Sequence, residues 1–281
     1  MDNGSTDGSP SLIRRSFPQV RLLTRPRNEG FCAGYNRAIN ATRHSFVLIL
    51  NSDVFLEANY LERAQLAAQE DSRIGWVTGP VTRTDSEGFD FQGRYLLKRL
   101  ALVNSTDPSD REEVFAGSGA AIFCRRAMLA DVACEGEIYD ESFFAYMEDL
   151  DLAWRMQLQG WRCVYRSQLV CRHIGSASQG RRVRVVDKSE LFLRHIVKNR
   201  YLSLAKNATP GLLIRFLPAF LLGELILWAL IALRAPRKLS AIPRALSEVG
   251  AAMTSTLGKR RHIMRRRVET DSRILSLTRG V

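Results

Sequence analysis

The sequence predicts an α/β fold, an open sheet with helices on both faces. The apolar run FVLIL at residues 46–50 is unbroken and stops at Asn51, which is typical of a strand buried on both faces. A helical pattern follows at residues 57–70, where alanines recur on one side. Strand and helix patterns then alternate to about residue 180, as in sheets whose ligands bind beyond the carboxyl ends of the strands.

The remaining elements of this part are predicted from shorter patterns. Strands are predicted at residues 20–23, 74–78, 120–124 and 161–165, and a helix at residues 149–159 that ends before Gly160. Residues 83–113 are polar with few regular patterns, so we expect a loop or an insertion there.

The charge is unevenly distributed along the 281 residues. Residues 1–180 contain 20 Lys/Arg and 23 Asp/Glu, whereas residues 181–281 contain 21 and 6. This contrast predicts two parts, 1–180 and a basic helical tail at 181–281. A strongly basic tail indicates an anionic partner, either nucleic acid or a membrane surface.

An apolar segment at residues 211–233 interrupts the basic tail, with Arg215 and Glu224 as its only charged residues. Its length is sufficient for a membrane span, but a glutamate near the middle is costly in lipid. A tilted span, a re-entrant hairpin, an interfacial helix and a buried core helix all remain open. The basic cluster at 259–267 is either solvated or in contact with anionic lipid head groups.

Two motifs near the beginning are rich in small and polar residues. DNGSTDGS at 2–9 is a turn cluster or a nucleotide-binding loop, in which Asp2 accepts bonds from base or ribose. NEGFCAGYN at 28–36 is the start of a helix or a site of close backbone approach to a ligand. In the second case the amides of Asn28 and Asn36 bond the ligand's polar edges.

Three further positions carry candidate chemistry. Asp53 follows the 46–50 strand, where it either ends a turn or offers oxygen to a divalent cation that bridges to phosphates. His173 is a lone histidine, either structural or a ligand. The carboxylates at 148, 149 and 151 begin a helix, where they stabilise its N-terminus or, in their aromatic surroundings, supply a general base.

Taken together and in this order, the motifs resemble family 2 glycosyltransferases of the GT-A fold, especially bacterial rhamnosyltransferase-like members. The resemblance covers residues 2–176 and includes F-x-G-S-G at 115–119, D-E-x-F-F-x-Y-x-E-D-x-D-L at 140–152 and a late His-x-x-S. Tyr139 stands where phenylalanine is common, and Asn51-Ser52-Asp53 is a variant of the metal-binding D-x-D. The fold implied for this part is a mixed, mostly parallel sheet with helices on both faces. The apolar segment and the basic residues after it add the expectation of a C-terminal helical tail associated with a membrane.

The resemblance also implies what should precede residue 2. Members of the family normally begin with a strand, a loop, a helix and a second strand before the D-N-G-S loop. We therefore expect the domain at 1–180 to lack an N-terminal β-α-β unit, which leaves an inactive or binding-only remnant as the alternative function.

The activity implied is inverting transfer of a sugar from a nucleotide-diphosphate donor to an acceptor hydroxyl, in bacterial cell-surface polysaccharide or glycolipid synthesis. Mg²⁺ or Mn²⁺ is the implied cofactor, the acceptor is a glycan or lipid-linked, and the expected place is the cytoplasmic face of the cell membrane, peripheral or single-span. The implied roles begin with metal binding by Asp53 and His173 and proton removal by Asp149, with Glu148 and Asp151 either orienting the base or binding the acceptor. The residues implied to contact the nucleotide are Asp2, Asn28, Gly34 and Asn36, and those implied to line the acceptor side are Gly117, Gly119 and Trp154.

Two other classes are disfavoured by the residues. A nucleic-acid-binding protein would account for the basic tail, but its basic residues are interleaved with a long apolar run and no nucleic-acid motif is present. A sugar-1-phosphate nucleotidyltransferase would need a glycine-rich phosphate loop near its N-terminus, which the sequence does not contain.

Overall fold

The computed structural model describes residues 1–83, 89–91, 93–105, 112–174 and 187–280. Its strands are β1 Phe46–Leu50, β2 Val54–Leu56, β3 Ile74–Thr78, β4 Val81–Arg83, β5 Phe89–Phe91, β6 Arg94–Leu97, β7 Ala101–Asn104, β8 Glu113–Val114, β9 Ala121–Arg125, β10 Arg162–Tyr165 and β11 Cys171–His173. Its helices are α1 Ser9–Ser16, α2 Phe31–Asn40, α3 Tyr60–Gln69, α4 Arg126–Val132, α5 Glu148–Leu158, α6 Glu190–Asn207, α7 Pro210–Arg234, α8 Ala241–Arg266 and α9 Asp271–Ser276.

The strands form a five-stranded sheet, a four-stranded sheet and a hairpin. The larger sheet has the order β1-β9-β3-β10-β8, and the smaller one has the order β2-β11-β4-β5. Among the described strands only β3–β10 and β4–β11 pair in parallel. The predicted α/β class with a mixed sheet is confirmed, but antiparallel pairs outnumber the parallel pairs that were expected to dominate.

The strand buried on both faces is β3, at the centre of the larger sheet, where all five residues are buried. In β1 burial alternates instead, because this strand lies at the edge of the sheet's described part. The strand predicted at residues 20–23 is absent. There, a single bridge joins Thr24 to Asp2, with the Asp2 amide donating to the Leu23 carbonyl at 2.7 Å.

The region predicted as a loop at 83–113 contains regular structure. Strands β6 and β7 form a hairpin in which Tyr95, Leu96 and Leu97 are buried. The C-terminal segment lies beside β6, where the Leu96 amide donates to the Leu277 carbonyl at 3.0 Å. The prediction failed because the hairpin's apolar residues are few and their burial depends on a segment about 180 residues away in sequence.

The helices of the basic tail do not form a separate body. One core cluster combines Trp76 and Trp154 of the first part with Leu202, Phe216 and Ile263 of helices α6, α7 and α8. The predicted boundary at residue 180 therefore divides the sequence by charge, while the hydrophobic core continues across it.

Part of the tail's positive charge is neutralised inside the protein. The ammonium group of Lys206 lies 2.5 Å from Asp140 and 3.0 Å from Asp151, and that of Lys259 lies 2.7 Å from Asp140. All four side chains are nearly inaccessible to solvent. Part of the positive charge that indicated an external anionic partner is thus paired with carboxylates inside the protein.

Candidate active site

The two residues predicted to bind a metal lie together. Strand β11 pairs with β2 so that His173 faces Val54, the residue after Asp53. The Nε2 atom of His173 is 3.2 Å from the Oδ2 atom of Asp53, and both side chains are partly exposed. The Ile174 amide also donates to the Asp53 carbonyl at 2.9 Å, which fixes the two segments to each other.

The chemistry of this pair fits a divalent cation held jointly with a diphosphate. Neighbouring ligands of an octahedral cation bonded at about 2.1 Å are about 3 Å apart, close to the separation found here. Among the described residues no group of three or more His, Cys, Asp or Glu side chains could hold a metal. Phosphate oxygens and water are the other ligands that Mg²⁺ usually takes in such sites.

Asp149 lies at the first turn of α5, near the same end of β1. Strand β9 pairs antiparallel with β1, and the Asn51 amide donates to the Ala120 carbonyl at 3.0 Å. The next residue back, Gly119, faces Asp149 so closely that a β-carbon at residue 119 would lie 3.3 Å from the Oδ2 atom. The predicted base and the predicted metal pair thus both adjoin the β1–β9 junction, the point where Asn51 pairs with Ala120.

Arg94 is a neighbour of Asp149 that the sequence did not reveal. Its guanidinium lies 3.3 Å from the Oδ2 atom of Asp149, and its backbone pairs with Ala116. Arg94 lies in the region 83–113, for which the sequence predicts a loop, and no residue pattern there connects it to the helix start at 148.

Glu148 has a different environment from its neighbour. Burial first, and then the negative charge of Asp149, raise its pKa from an ordinary value of 4.5 to about 8. Its Oε2 atom is buried without a hydrogen-bond partner. A carboxyl group that keeps its proton at neutral pH cannot accept one from an acceptor hydroxyl, so Asp149 is the better placed of the two for that role.

Asp151 and Trp154 need a correction, because both are buried in the core. Asp151 bonds Arg155, Lys206 and Asn207, and no part of it reaches solvent. Trp154 packs edge-on against Phe115 and contacts Phe216. These side chains hold α5 in place and are not available to contact an acceptor.

The residues predicted to bind nucleotide separate into two groups. Asn28 lines a pocket of about 420 Å³, and its side-chain oxygen accepts from Asn3 at 3.1 Å. The pocket is lined by Arg27, Asn28, Glu29, Ala33, Arg37 and Glu141. Asp2 precedes Asn3 in the sequence, and a β-carbon at Gly34 would lie 3.3 Å from the side-chain amide nitrogen of Asn3.

Asn36 belongs to the other group and also needs correction. It is buried, and its side chain both donates to the Tyr139 carbonyl and accepts from the Tyr139 amide, each at 2.8 Å. Asn36 therefore joins α2 to the D-E-S-F-F segment. Gly117 is corrected similarly: a β-carbon there would lie 2.5 Å from the Trp76 indole nitrogen, so this glycine permits core packing.

Comparison with known proteins identifies the class. Residues 1–132 match the family model described as glycosyl transferase family 2. An N-acetylglucosaminyl-diphospho-decaprenol L-rhamnosyltransferase of Mycobacterium tuberculosis is 28% identical over 212 residues, which are 64% of this chain and 67% of that protein. Residues 1–132 therefore match a family 2 glycosyltransferase domain, and the chain is similar to a rhamnosyltransferase, as the motifs indicated.

Solved structures agree on the fold. S. aureus TarS in complex with UDP-GlcNAc superimposes with a TM-score of 0.55 at 16% identity, covering 99% of this chain and 73% of that chain. GalNAc-T7 with UDP, GalNAc and Mn²⁺ gives a TM-score of 0.50 at 11% identity, covering 76% of this chain and 46% of that chain. The chain thus spans less than half of GalNAc-T7, and what it shares with both proteins is the GT-A fold.

The environment of Glu148 predicts a pH-dependent stability. Because the folded chain binds this proton more tightly than the unfolded chain, the stability that Glu148 contributes is present below pH 4.5 and is lost as pH rises to about 8. Glu148→Gln removes the titration. The difference in Tm between the variant and the wild type should therefore increase in the variant's favour from pH 5 to pH 8.5, by about 3 °C or more if roughly 1 kcal/mol is involved.

Thermal melting at several pH values measures this difference. Glu62→Gln, a change of an exposed carboxylate on α3, is the control and should follow the wild type at every pH. Parallel Tm profiles for Glu148→Gln and the wild type would contradict the prediction.

Proposed function

We propose that this protein is an inverting, divalent-metal-dependent glycosyltransferase that moves a sugar from a nucleotide-diphosphate donor to an acceptor hydroxyl. The observation that supports this most strongly is the arrangement around the β1–β9 junction. An ion-paired carboxylate, Asp149, lies beside Gly119, and the Asp53–His173 pair follows the neighbouring strand end. In this proposal Asp149 acts on the acceptor hydroxyl, and the Asp53–His173 pair acts on the diphosphate that leaves the same donor sugar.

In the proposed reaction Asp149 takes the proton of the acceptor hydroxyl. The hydroxyl oxygen then forms a bond to the anomeric carbon from the face opposite the donor's diphosphate. The bond from that carbon to the diphosphate oxygen breaks, and its electron pair leaves with the nucleotide. A single displacement inverts the anomeric configuration. Arg94 would hold the Asp149 carboxylate in position through its ion pair.

Asp53 and His173 would hold Mg²⁺ or Mn²⁺ at the donor's diphosphate. When bound, such an ion offsets negative charge on the leaving nucleotide. The GalNAc-T7 structure, which holds UDP and Mn²⁺, supports a divalent cation for this fold. The pocket beside Asn28, with Asp2 and Gly34 nearby, is the proposed place for the nucleoside.

The proposed substrates follow from the mycobacterial relative. That protein is named for transfer of L-rhamnose to N-acetylglucosaminyl-diphospho-decaprenol, a lipid-linked acceptor. We assign this chain a deoxyhexose donor and a lipid-linked glycan acceptor of cell-surface synthesis. With such an acceptor, the proposed place of the enzyme is the cytoplasmic face of the cell membrane, where nucleotide sugars are available.

Helix α7 would provide the membrane contact, lying on the surface of the bilayer. Among the described residues it is the one helix long and apolar enough to cross a membrane, with a mean hydropathy of 2.2. One side packs on the protein, and on that side Glu224 forms an ion pair with Arg200 at 2.5 Å. The other side exposes large apolar residues: Leu213, Ile214, Leu217, Leu221, Leu222, Leu225, Ile226, Leu230 and Leu233.

This arrangement favours an interfacial helix over a span. A spanning α7 would have to leave the core and bring a glutamate into lipid, which is costly. A helix that keeps its inner side on the protein can insert its outer side among lipid head groups. The exposed Arg215, Arg234 and Arg237 would then contact anionic lipid.

The proposed base is tested by Asp149→Asn. This variant keeps the shape of the side chain but cannot accept the proton, so turnover should fall by at least ~100-fold. Donor binding should be nearly unchanged, because the donor contacts proposed here lie on other residues. Sugar transfer to a synthetic lipid-diphosphate acceptor, with calorimetry of donor binding, measures both. Normal turnover by the variant would show that Asp149 only caps its helix.

The proposed metal site is tested with Asp53→Ala. Transfer should stop in excess EDTA, return with Mn²⁺ or Mg²⁺, and be absent in the variant at any metal concentration. Electron paramagnetic resonance of Mn²⁺ with nucleoside diphosphate should show bound ion for the wild type and for Glu62→Ala, and free ion for Asp53→Ala. Full transfer by the wild type in EDTA would contradict the assignment.

The proposed membrane contact is tested with Leu222→Asp and Leu225→Asp. Their side chains are 55% and 63% exposed, so the changes should leave folding intact. Sedimentation with vesicles containing anionic lipid should weaken by about tenfold or more, the effect of losing roughly 1.4 kcal/mol. Leu66→Asp on α3, at 60% exposure, is the matched control and should sediment like the wild type. Equal loss in all three variants would contradict a specific role for α7.

A further inference from the structure

The backbone immediately before the proposed base is held in an unusual conformation. Phe144, Tyr146 and Met147 have φ values of 64°, 71° and 67°, a region that residues other than glycine rarely adopt. Around Phe144, with ψ at −65°, the Ala145 amide donates to the Phe143 carbonyl at 2.8 Å, which makes a strained γ-turn. Conformations of this kind cost of order 1–3 kcal/mol each and persist only where surrounding groups enforce them.

The enforcing contacts come from helix α6, about 50 residues further along the chain. The side-chain amide of Asn199 donates to the carbonyls of Phe143, Ala145 and Tyr146 at 3.1, 2.9 and 2.7 Å. Asn199 is completely buried. One turn before it, the His195 ring stacks on Phe144 with centroids 5.1 Å apart.

Asn199 is suited to this task because its side-chain nitrogen donates to three loop carbonyls that lie close together. Buried carbonyls without hydrogen-bond donors are costly, and Asn199 supplies a donor to all three. The side-chain oxygen of Asn199 has no hydrogen-bond partner, so all its hydrogen bonds to the loop are donated by the amide nitrogen.

The opposite side of the loop is fixed by the glycine motif of α2. The Cys32 amide donates to the Phe144 carbonyl at 3.1 Å, and a β-carbon at Gly30 would lie 2.6 Å from the Phe144 ring. The loop is therefore held between α2 and α6, and α5 begins directly after it with Glu148 and Asp149.

We propose that Asn199 is a positioning residue for the transferase site: its amide holds the loop 143–147, in which Phe144, Tyr146 and Met147 have positive φ, and thereby places Asp149 beside Gly119. This inference rests on the proposed function for its effect on turnover, but the contact between Asn199 and the loop does not. Without the amide the loop would relax towards ordinary φ values and shift the first turn of α5. A shift of about 1 Å at a reacting group lowers turnover by about 100-fold.

The test is a graded series at position 199, measured with the full chain. Asn199→Ala removes all donors, Asn199→Ser keeps one, and Asn199→Asp places a carboxylate against three carbonyls. Amide hydrogen exchange of residues 143–147, without substrates, should accelerate in the order Ser, Ala, Asp. The kcat should fall in the same order, by about 10- to 100-fold for Asn199→Ala, with the donor KM nearly unchanged.

Two further variants separate positioning from general destabilisation. Thr209→Val removes the N-terminal cap of α7, which is buried and bonded to Asp271 at 2.8 Å, and should lower Tm without changing loop exchange or kcat. Tyr146→Gly lets residue 146 adopt a positive φ without strain, so in the Asn199→Ala background it should restore part of the lost kcat. A side chain that merely packs α6 would show no such rescue.

The outcomes distinguish the inference from the function on which it rests. Unchanged loop exchange in Asn199→Ala, or in Asn199→Ser if the alanine variant does not fold, overturns the positioning role. Faster exchange with a kcat no lower than that of Thr209→Val overturns it as well. A wild type that folds but transfers no sugar contradicts the proposed function, while the exchange series still decides whether Asn199 holds the loop.

Discussion

The buried ion pairs of Lys206 with Asp140 and Asp151 are the interaction on which the rest of the site depends. Burial alone would raise the pKa of the Asp140 carboxyl, but the ammonium groups of Lys206 and Lys259 outweigh burial and hold that pKa below its ordinary value. Removing one partner of such a pair leaves an uncompensated charge in the core. The carboxylates at the start of α5 and in the segment before it can therefore be buried only together with the lysines of α6 and α8 that neutralise them.

This mutual dependence explains how a basic tail contributes to a site that contains none of its residues. Asp151 forms ion pairs with Arg155 of its own helix and with Lys206 of α6. It also accepts a hydrogen bond from Asn207 of α6. With α5 fixed on this side, its first turn directs Asp149 towards Gly119. The same helix α6 supplies Asn199 to the loop before α5. The tail thus acts on the chemistry through the orientation of one helix.

The sequence predicted the fold class, the β1 and β3 strands, and the meeting of Asp53 with His173, because these depend on local periodicity and on an ordered set of motifs. It did not predict Arg94 beside Asp149 or the burial of Trp154. Both depend on contacts between distant segments, which single-residue patterns do not record. Lys206 shows the limit most clearly: in the sequence it is one more positive charge in the tail, and only its neighbours reveal that it is a core residue.

The central claim is that the helices after residue 187 and the sheet before residue 174 form one cooperative core. Hydrogen exchange of the full chain at increasing urea concentrations tests it most directly, because it reports the opening of each segment separately. The account predicts that the slowest amides of β9 and of α6 reach the same unfolding free energy and the same dependence on urea. Loss of protection in α6 at low urea, while β9 stays protected, would contradict it.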